Sequence, residues 1–226
     1  GPITFQPSEL VKIAFILAGA ATLDRLFAKR NLIFTILFSA YCVGCLALMS
    51  DFGTALIFFV AFLCIAFLRT GDLPSIVMIT AAAGFAGGIV LRFKPYVLAR
   101  FAVWRHAWEY AQKGGYQQTR TMSAVASGGL FGAGPEEAWL KYVGAANTDL
   151  VFGVVSEEFG LLLALCAAAA VILLGIYALR AAGRSRSSFY AIAACATAAM
   201  LVFQTTLNVL GSVDLLPLTG VTFPFV

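Results

Sequence analysis

Long apolar runs recur along this chain between short polar breaks, and none shows the period-two alternation of a half-buried strand. Six runs, near 8–28, 31–49, 52–69, 73–91, 151–179 and 189–210, are long enough to carry a helix across a bilayer, which takes about 17 to 25 residues. Spanning strands would have to close into a barrel, and nothing in the pattern supplies one. The pattern therefore predicts an all-α, polytopic membrane helix bundle in a single integral-membrane domain. One long polar interruption covers 92–150. Within it, "RFAVWRHAWEYA" sets Phe101, Trp104, Trp108 and Ala111 at helical spacing with Arg and Glu between them. That spacing predicts a short amphipathic helix at the membrane interface, either a plain anchor or a substrate contact.

Composition turns the bundle into a membrane assignment. Of 226 residues, 61% are hydrophobic and 12% charged; soluble domains carry about 45–50% and about 25%. So few polar residues could not cover a water-soluble surface of this size. The net charge of +4, from 15 basic and 11 acidic residues, is modest and suits membrane flanks rather than nucleic acid.

Charge also orients the chain. Arg25, Lys29 and Arg30 cluster in one connection, and Arg180, Arg184 and Arg186 in another. Placing both in the cytoplasm puts 50–51 outside, 69–73 inside and 92–150 outside, and returns 180–188 to the inside, so the parity closes. The outside segment holds Arg92, Lys94, Arg100, Arg105, Lys113, Arg120 and Lys141, and a loop this long can cross regardless of charge. Gly1 in place of Met, and the ending at Val226 straight after "PLTGVTFPF", read as a piece cut from a longer chain.

Cys42, Cys45, Cys64, Cys166 and Cys195 all lie in apolar stretches and read as small residues of membrane helices. A single histidine, His106, leaves no His-based metal cluster.

Polar groups against membrane helices are costly, which makes them candidates for function. Four clusters stand out. In "QPSELVK", Gln6 precedes Pro7, which suits a helix start; Ser8 could cap it, and Glu9 and Lys12 could pair. In "SDFGTAL", Asp51 meets the positive end of a helix dipole. The glycines of "SAVASGGLFGAG" allow close backbone approach, but they lack the lysine and the preceding strand of a nucleotide loop. In "NTDLVFGVVSEEFG", Asn147 or Thr148 could cap a membrane helix with Asp149 in its first turn. On a continuous helix Glu157 would lie about 12 Å further on and about 80° around, too far to share a proton. For the first, second and fourth clusters, a cap and a site both fit.

Taken in order, "QPSELVKI", "DFGTALIF", "GYQQTRTMSAVASGGLFGAG", "NTDLVFGVVSEEFG" and "LPLTGVTFPF" closely resemble the SEDS family of FtsW/RodA/SpoVE-type membrane proteins, over nearly the whole chain. The resemblance implies a ten-helix fold, of which the six runs would be the fourth to ninth helices, and a large extracytoplasmic loop with short interfacial helices. It implies a peptidoglycan glycosyltransferase that polymerises lipid II on the outer face of the bacterial cytoplasmic membrane, partnered by a class B penicillin-binding protein. A piece lacking the remaining helices would be inactive alone.

The family's catalytic aspartate corresponds to Asp149. Substrate-binding positions would be Gln6, Ser8, Glu9 and Lys12; Ser127, Gly128 and Gly129; Thr148; and Pro217, Thr219 and Gly220. Arg100, Arg105, Arg120 and Lys141, or a divalent cation such as Mg or Mn, would meet the diphosphate; no nucleotide is expected. The chain departs from the family pattern at Gly144 and Ala145, where Pro-Glu is common. It also carries Lys141 where an acid often sits, and Ser50 where Pro is usual.

Two other functions compete. A flippase for a lipid-linked precursor could use Glu9, Lys12, Glu157 and Glu158 along a path, and would show a midplane polar cavity with broken helices. Instead the charges cluster toward the outer ends, and Pro74 and Pro95 lie near helix ends. A non-catalytic scaffold would bind a penicillin-binding protein without polymerising anything.

Overall fold

The computed structural model describes residues 7–24, 29–49, 51–93 and 95–225. Its helices are α1 (Pro7–Asp24), α2 (Lys29–Leu48), α3 (Phe52–Thr70), α4 (Leu73–Phe93), α5 (Pro95–Val103), α6 (Tyr116–Gly128), α7 (Val151–Phe159), α8 (Leu161–Ala182) and α9 (Ser188–Ser212). A 3-10 turn covers Leu140–Tyr142, and no strand occurs among the described residues. Of these helices, α3, α8 and α9 are long and apolar enough to cross a membrane; shorter apolar stretches run Ile36–Leu46 and Leu73–Ile89. Only 22% of the apolar window of α8 is buried against protein, against 50% in α9. The remainder of α8 has hydrocarbon as its natural solvent.

The chain forms two compact units, one of residues 1–76 and 173–203, the other of 77–172 and 204–226. In the first, Phe15 meets Phe58 edge-on at 5.1 Å and stacks on Phe38 at 5.9 Å. Lipid is as apolar as these rings, so close packing rather than escape from water holds such helices together. Small residues permit it. A β-carbon on Gly19 would come within 2.8 Å of Ile65, and one on Gly175 within 2.8 Å of Val202. Asp51 caps α3 by accepting from the Thr54 N–H at 3.1 Å, and Gly71 closes the same helix at φ 63°.

In the second unit α6 packs along α7. A β-carbon on Gly128 would lie 2.7 Å from the Glu157 Cα, and one on Gly153 would lie 2.8 Å from Leu140. Val151, Phe152, Ala164, Ala168 and Phe223 form one buried cluster, and Ala124, Leu140 and Leu150 another.

Three expectations change. The apolar run 151–179 is not one helix: it breaks at Gly160, whose φ of 93° no L-residue adopts comfortably. Segment 129–134 satisfies the groups freed by the break. The Leu161 N–H donates to Gly129 O at 3.0 Å and the Leu162 N–H to Leu130 O at 3.3 Å. In return, the Ala133 and Gly134 N–H groups donate to the Glu157 and Glu158 carbonyls at 2.8 and 3.2 Å. The interfacial helix expected over 101–111 stops at Val103, and turns run on to Gly115. Arg105 sits at φ 63°, and its N–H donates to Asp214 Oδ1 at 3.0 Å instead of continuing a helix. The short helices of this stretch are α5 and α6, on either side of those turns. Finally, Leu150 rather than Asn147 or Thr148 precedes α7, with no side-chain cap, so Asp149 lies outside the helix's first turn.

Candidate active site

Asp149 is placed by a tight turn. The Ala145 carbonyl accepts from the Thr148 N–H at 3.2 Å, the Asp149 N–H at 2.9 Å and the Thr148 hydroxyl at 3.2 Å. Ala145 itself is left-handed at φ 64°. The next residue, Leu150, is fully buried, which anchors the turn on its far side. The Asp149 side chain is half-buried between solvent and protein.

The other wall is the segment after α9. Gly220 lies at φ 73°, and a β-carbon there would sit 3.3 Å from Asp149 Oδ2. This segment is fastened from several sides. The amide of Asn208 donates to Asp149 O at 3.0 Å and to Val221 O at 2.7 Å. One turn earlier, the amide of Gln204 donates to the Thr222 carbonyl at 2.9 Å and its hydroxyl oxygen at 3.1 Å. Gln118, on α6, donates to Gly211 O at 3.0 Å and Asp214 Oδ1 at 2.9 Å. Arg100 Nη1 donates to Leu218 O at 3.1 Å and Trp104 Nε1 to Leu215 O at 3.2 Å.

Glu157 has a different role from Asp149. It is 1% exposed, and its two carboxylate oxygens accept from the Trp139 N–H at 3.1 Å and the Leu140 N–H at 2.9 Å. It therefore ties the 3-10 turn to α7.

The expected substrate-binding residues fall into three groups. Gly220 flanks Asp149, with Pro217 and Thr219 half-buried on the same segment, and Thr148 shapes the turn. Of the cations, Arg100 fastens Leu218. Arg105 is exposed, with its backbone on Asp214. Arg120 lies over the rings of Tyr116 and Trp139 at 5.3 and 5.9 Å, and Lys141 over Tyr142 at 5.5 Å. Ser127 donates back to Ala124 O, while Gly128 ends α6 against α7 and Gly129 follows as its C-cap. In the first unit, Lys12 is 4% exposed and donates to Glu9 at 2.7 Å; Ser8, expected as a cap, is instead the second residue of α1, and its buried hydroxyl makes no hydrogen bond among the described residues. Gln6 lies outside the described residues.

Sequence reasoning passed over Asn208, Gln204 and Gln118. The signal was there for the first two: "FQTTLNVLGS" interrupts an apolar helix with polar residues at positions 204, 208 and 212, one turn apart.

Helices of membrane length, joined to a half-buried acid held between a turn and a strapped segment, define a polytopic membrane protein with a polar site at its helix ends. The FtsW/RodA/SpoVE family of cell cycle proteins matches residues 1–226, and this chain belongs to that family. It is an integral membrane protein. The chain is 30% identical to the probable peptidoglycan glycosyltransferase FtsW of Pseudoalteromonas translucida, over 100% of this chain and 59% of that protein. To the corresponding FtsW of Bacillus subtilis it is 28% identical, over 100% and 60%. To the peptidoglycan glycosyltransferase RodA of Mycobacterium leprae it is 30% identical, over 98% and 51%. The chain thus spans about three-fifths or less of these relatives. Its fold is similar, at a TM-score of 0.76 and 24% identity, to a solved chain from a study of how a peptidoglycan synthase complex coordinates polymerization and crosslinking. That match covers 99% of this chain and 64% of the other.

Proposed function

We propose that the whole protein is a peptidoglycan glycosyltransferase that polymerises lipid II on the outer face of the cytoplasmic membrane, with Asp149 as general base. The observation that carries this reading is the placement of Asp149. It is a half-buried acid just before a helix, with its backbone fixed by a turn and its carboxylate beside Gly220. Such a group can take a proton from an incoming sugar hydroxyl while the freed oxygen attacks the anomeric carbon of the second lipid II. The bond from that carbon to the diphosphate then breaks with inversion, and the lipid diphosphate departs with the electron pair. Diphosphate leaves without a strong general acid, so one carboxylate suffices where a glycosidase uses two.

Developing charge on the leaving group calls for cations. Arg120 and Lys141 supply them in this reading, with Arg105; Arg100 serves chiefly by fastening Leu218. Among the described residues no cluster of three or more His, Cys, Asp or Glu side chains could hold a metal. In this reading the partner is a class B penicillin-binding protein, which suits the origin of the similar solved chain in a peptidoglycan synthase complex.

The test uses full-length protein with that partner and purified lipid II, with glycan strands resolved on a gel. Asp149→Asn, with its fold retained, should lower strand synthesis by about 10²–10⁴-fold, the usual worth of a positioned base. Strand synthesis by Asp149→Asn at the wild-type rate would overturn the assignment. Partner binding without polymerisation under any condition would favour a scaffold, and lipid II translocation without polymerisation would favour a flippase.

A further inference from the structure

Asn208 is 2% exposed, and its amide nitrogen donates both hydrogens to backbone carbonyls. One carbonyl is that of Asp149 itself; the other is that of Val221, next to Gly220. A single side chain thus ties the backbone of Asp149 to the segment that faces its carboxylate. Both carbonyls require the NH₂ to face them, which directs the Asn208 Oδ1 elsewhere, and that atom is buried with no hydrogen-bond partner. A leucine would pack in the same space without leaving an orphaned acceptor. Its absence implies a use for the two donated hydrogens beyond packing. The backbone of Asn208 is in turn steadied by the Ser212 hydroxyl, which donates to its carbonyl at 2.8 Å.

We infer that Asn208 is a positioning residue for Asp149: it fixes the spacing between the acid and the Gly220 wall, and with it the direction in which the carboxylate presents its oxygens. This rests on the assignment of Asp149 as base. Without the clamp, the carboxylate and the wall separate by small amounts, and a misplacement of about 1 Å can cost about 10²-fold in rate.

The experiment uses the full-length protein with its partner and lipid II. Asn208→Leu should lower kcat by about ten- to a hundredfold per folded molecule, while KM stays within about threefold, because what is lost is made in the transition state. Asn208→Gln, which restores a carboxamide donor, should recover part of the loss. Should the leucine variant fail to fold, Asn208→Asp has nearly the same shape and, ionised, lacks the donors; it should behave alike. A readout independent of activity accompanies these. In Asp149→Cys protein, the rate of maleimide labelling at position 149, followed by peptide mass spectrometry, should rise several-fold when Asn208→Leu is added. Unchanged labelling together with an unchanged kcat per folded molecule would overturn the inference. Normal polymerisation by Asp149→Asn would remove the base assignment, and the labelling rates would still decide whether Asn208 holds position 149.

Discussion

Gly220 faces the Asp149 carboxylate so closely that a β-carbon at position 220 would lie 3.3 Å from Oδ2. Gly220 is also left-handed, at φ 73°. Both space and backbone therefore ask for glycine. Gly220→Ala should destabilise the protein by about 1–2 kcal/mol through its backbone alone. It should also displace the carboxylate, lowering strand synthesis by about tenfold or more. Comparing turnover with the folded fraction, measured by size exclusion, separates the two effects.

The Glu157 carboxylate accepts from two backbone N–H groups, those of Trp139 and Leu140. Removing the carboxylate in Glu157→Ala should cost about 1–3 kcal/mol for each N–H left unpaired. Glu157→Gln keeps one acceptor oxygen and should lose about half as much. Thermal unfolding in detergent, monitored by intrinsic tryptophan fluorescence, should rank wild type above Gln and Gln above Ala.

Gly128 tests the α6–α7 contact. In an isolated helix, Gly→Ala stabilises by about 1 kcal/mol. Here the added carbon would meet the backbone of Ser156 and Glu157, which cannot swing aside as a flexible side chain could. Overpacking of about 1–3 kcal/mol should win. Gly128→Ala should lower the melting temperature; a rise would show that the helices separate cheaply.

Asp51 offers a simpler case. Its carboxylate accepts from the Thr54 N–H at the start of α3. Asp51→Ala should therefore destabilise by about 1 kcal/mol, and Asp51→Asn or Asp51→Ser, which keep an acceptor, should recover most of it in the same melting assay.

Much of this was legible along the chain. Apolar runs of bilayer length announce α3, α8 and α9, because a membrane helix needs only length and greasiness to be recognised. The pairing of Glu9 with Lys12 and the cap by Asp51 follow from spacings of three residues, and such contacts are local. The break at Gly160 was hidden in an apolar run because its cause lies elsewhere: segment 129–134 supplies the hydrogen bonds that a continuous helix would have made for itself. The end of α5 at Val103 was hidden for the same reason, since Arg105 is drawn out of helical geometry by Asp214, more than a hundred residues away.

The amino-acid sequence by itself determined the class of the protein, its membrane-length helices and the identity of the acid worth asking about. The first two depend on composition and on neighbours within a turn or two; the acid was singled out by the resemblance to a family. Only the tertiary structure decided what surrounds that acid. Asn208 and Gly220 reach Asp149 from 59 and 71 positions further along the chain. Hydrogen bonds between such distant residues exist only once the helices have packed, because in a membrane every freed backbone group must find its partner within the protein.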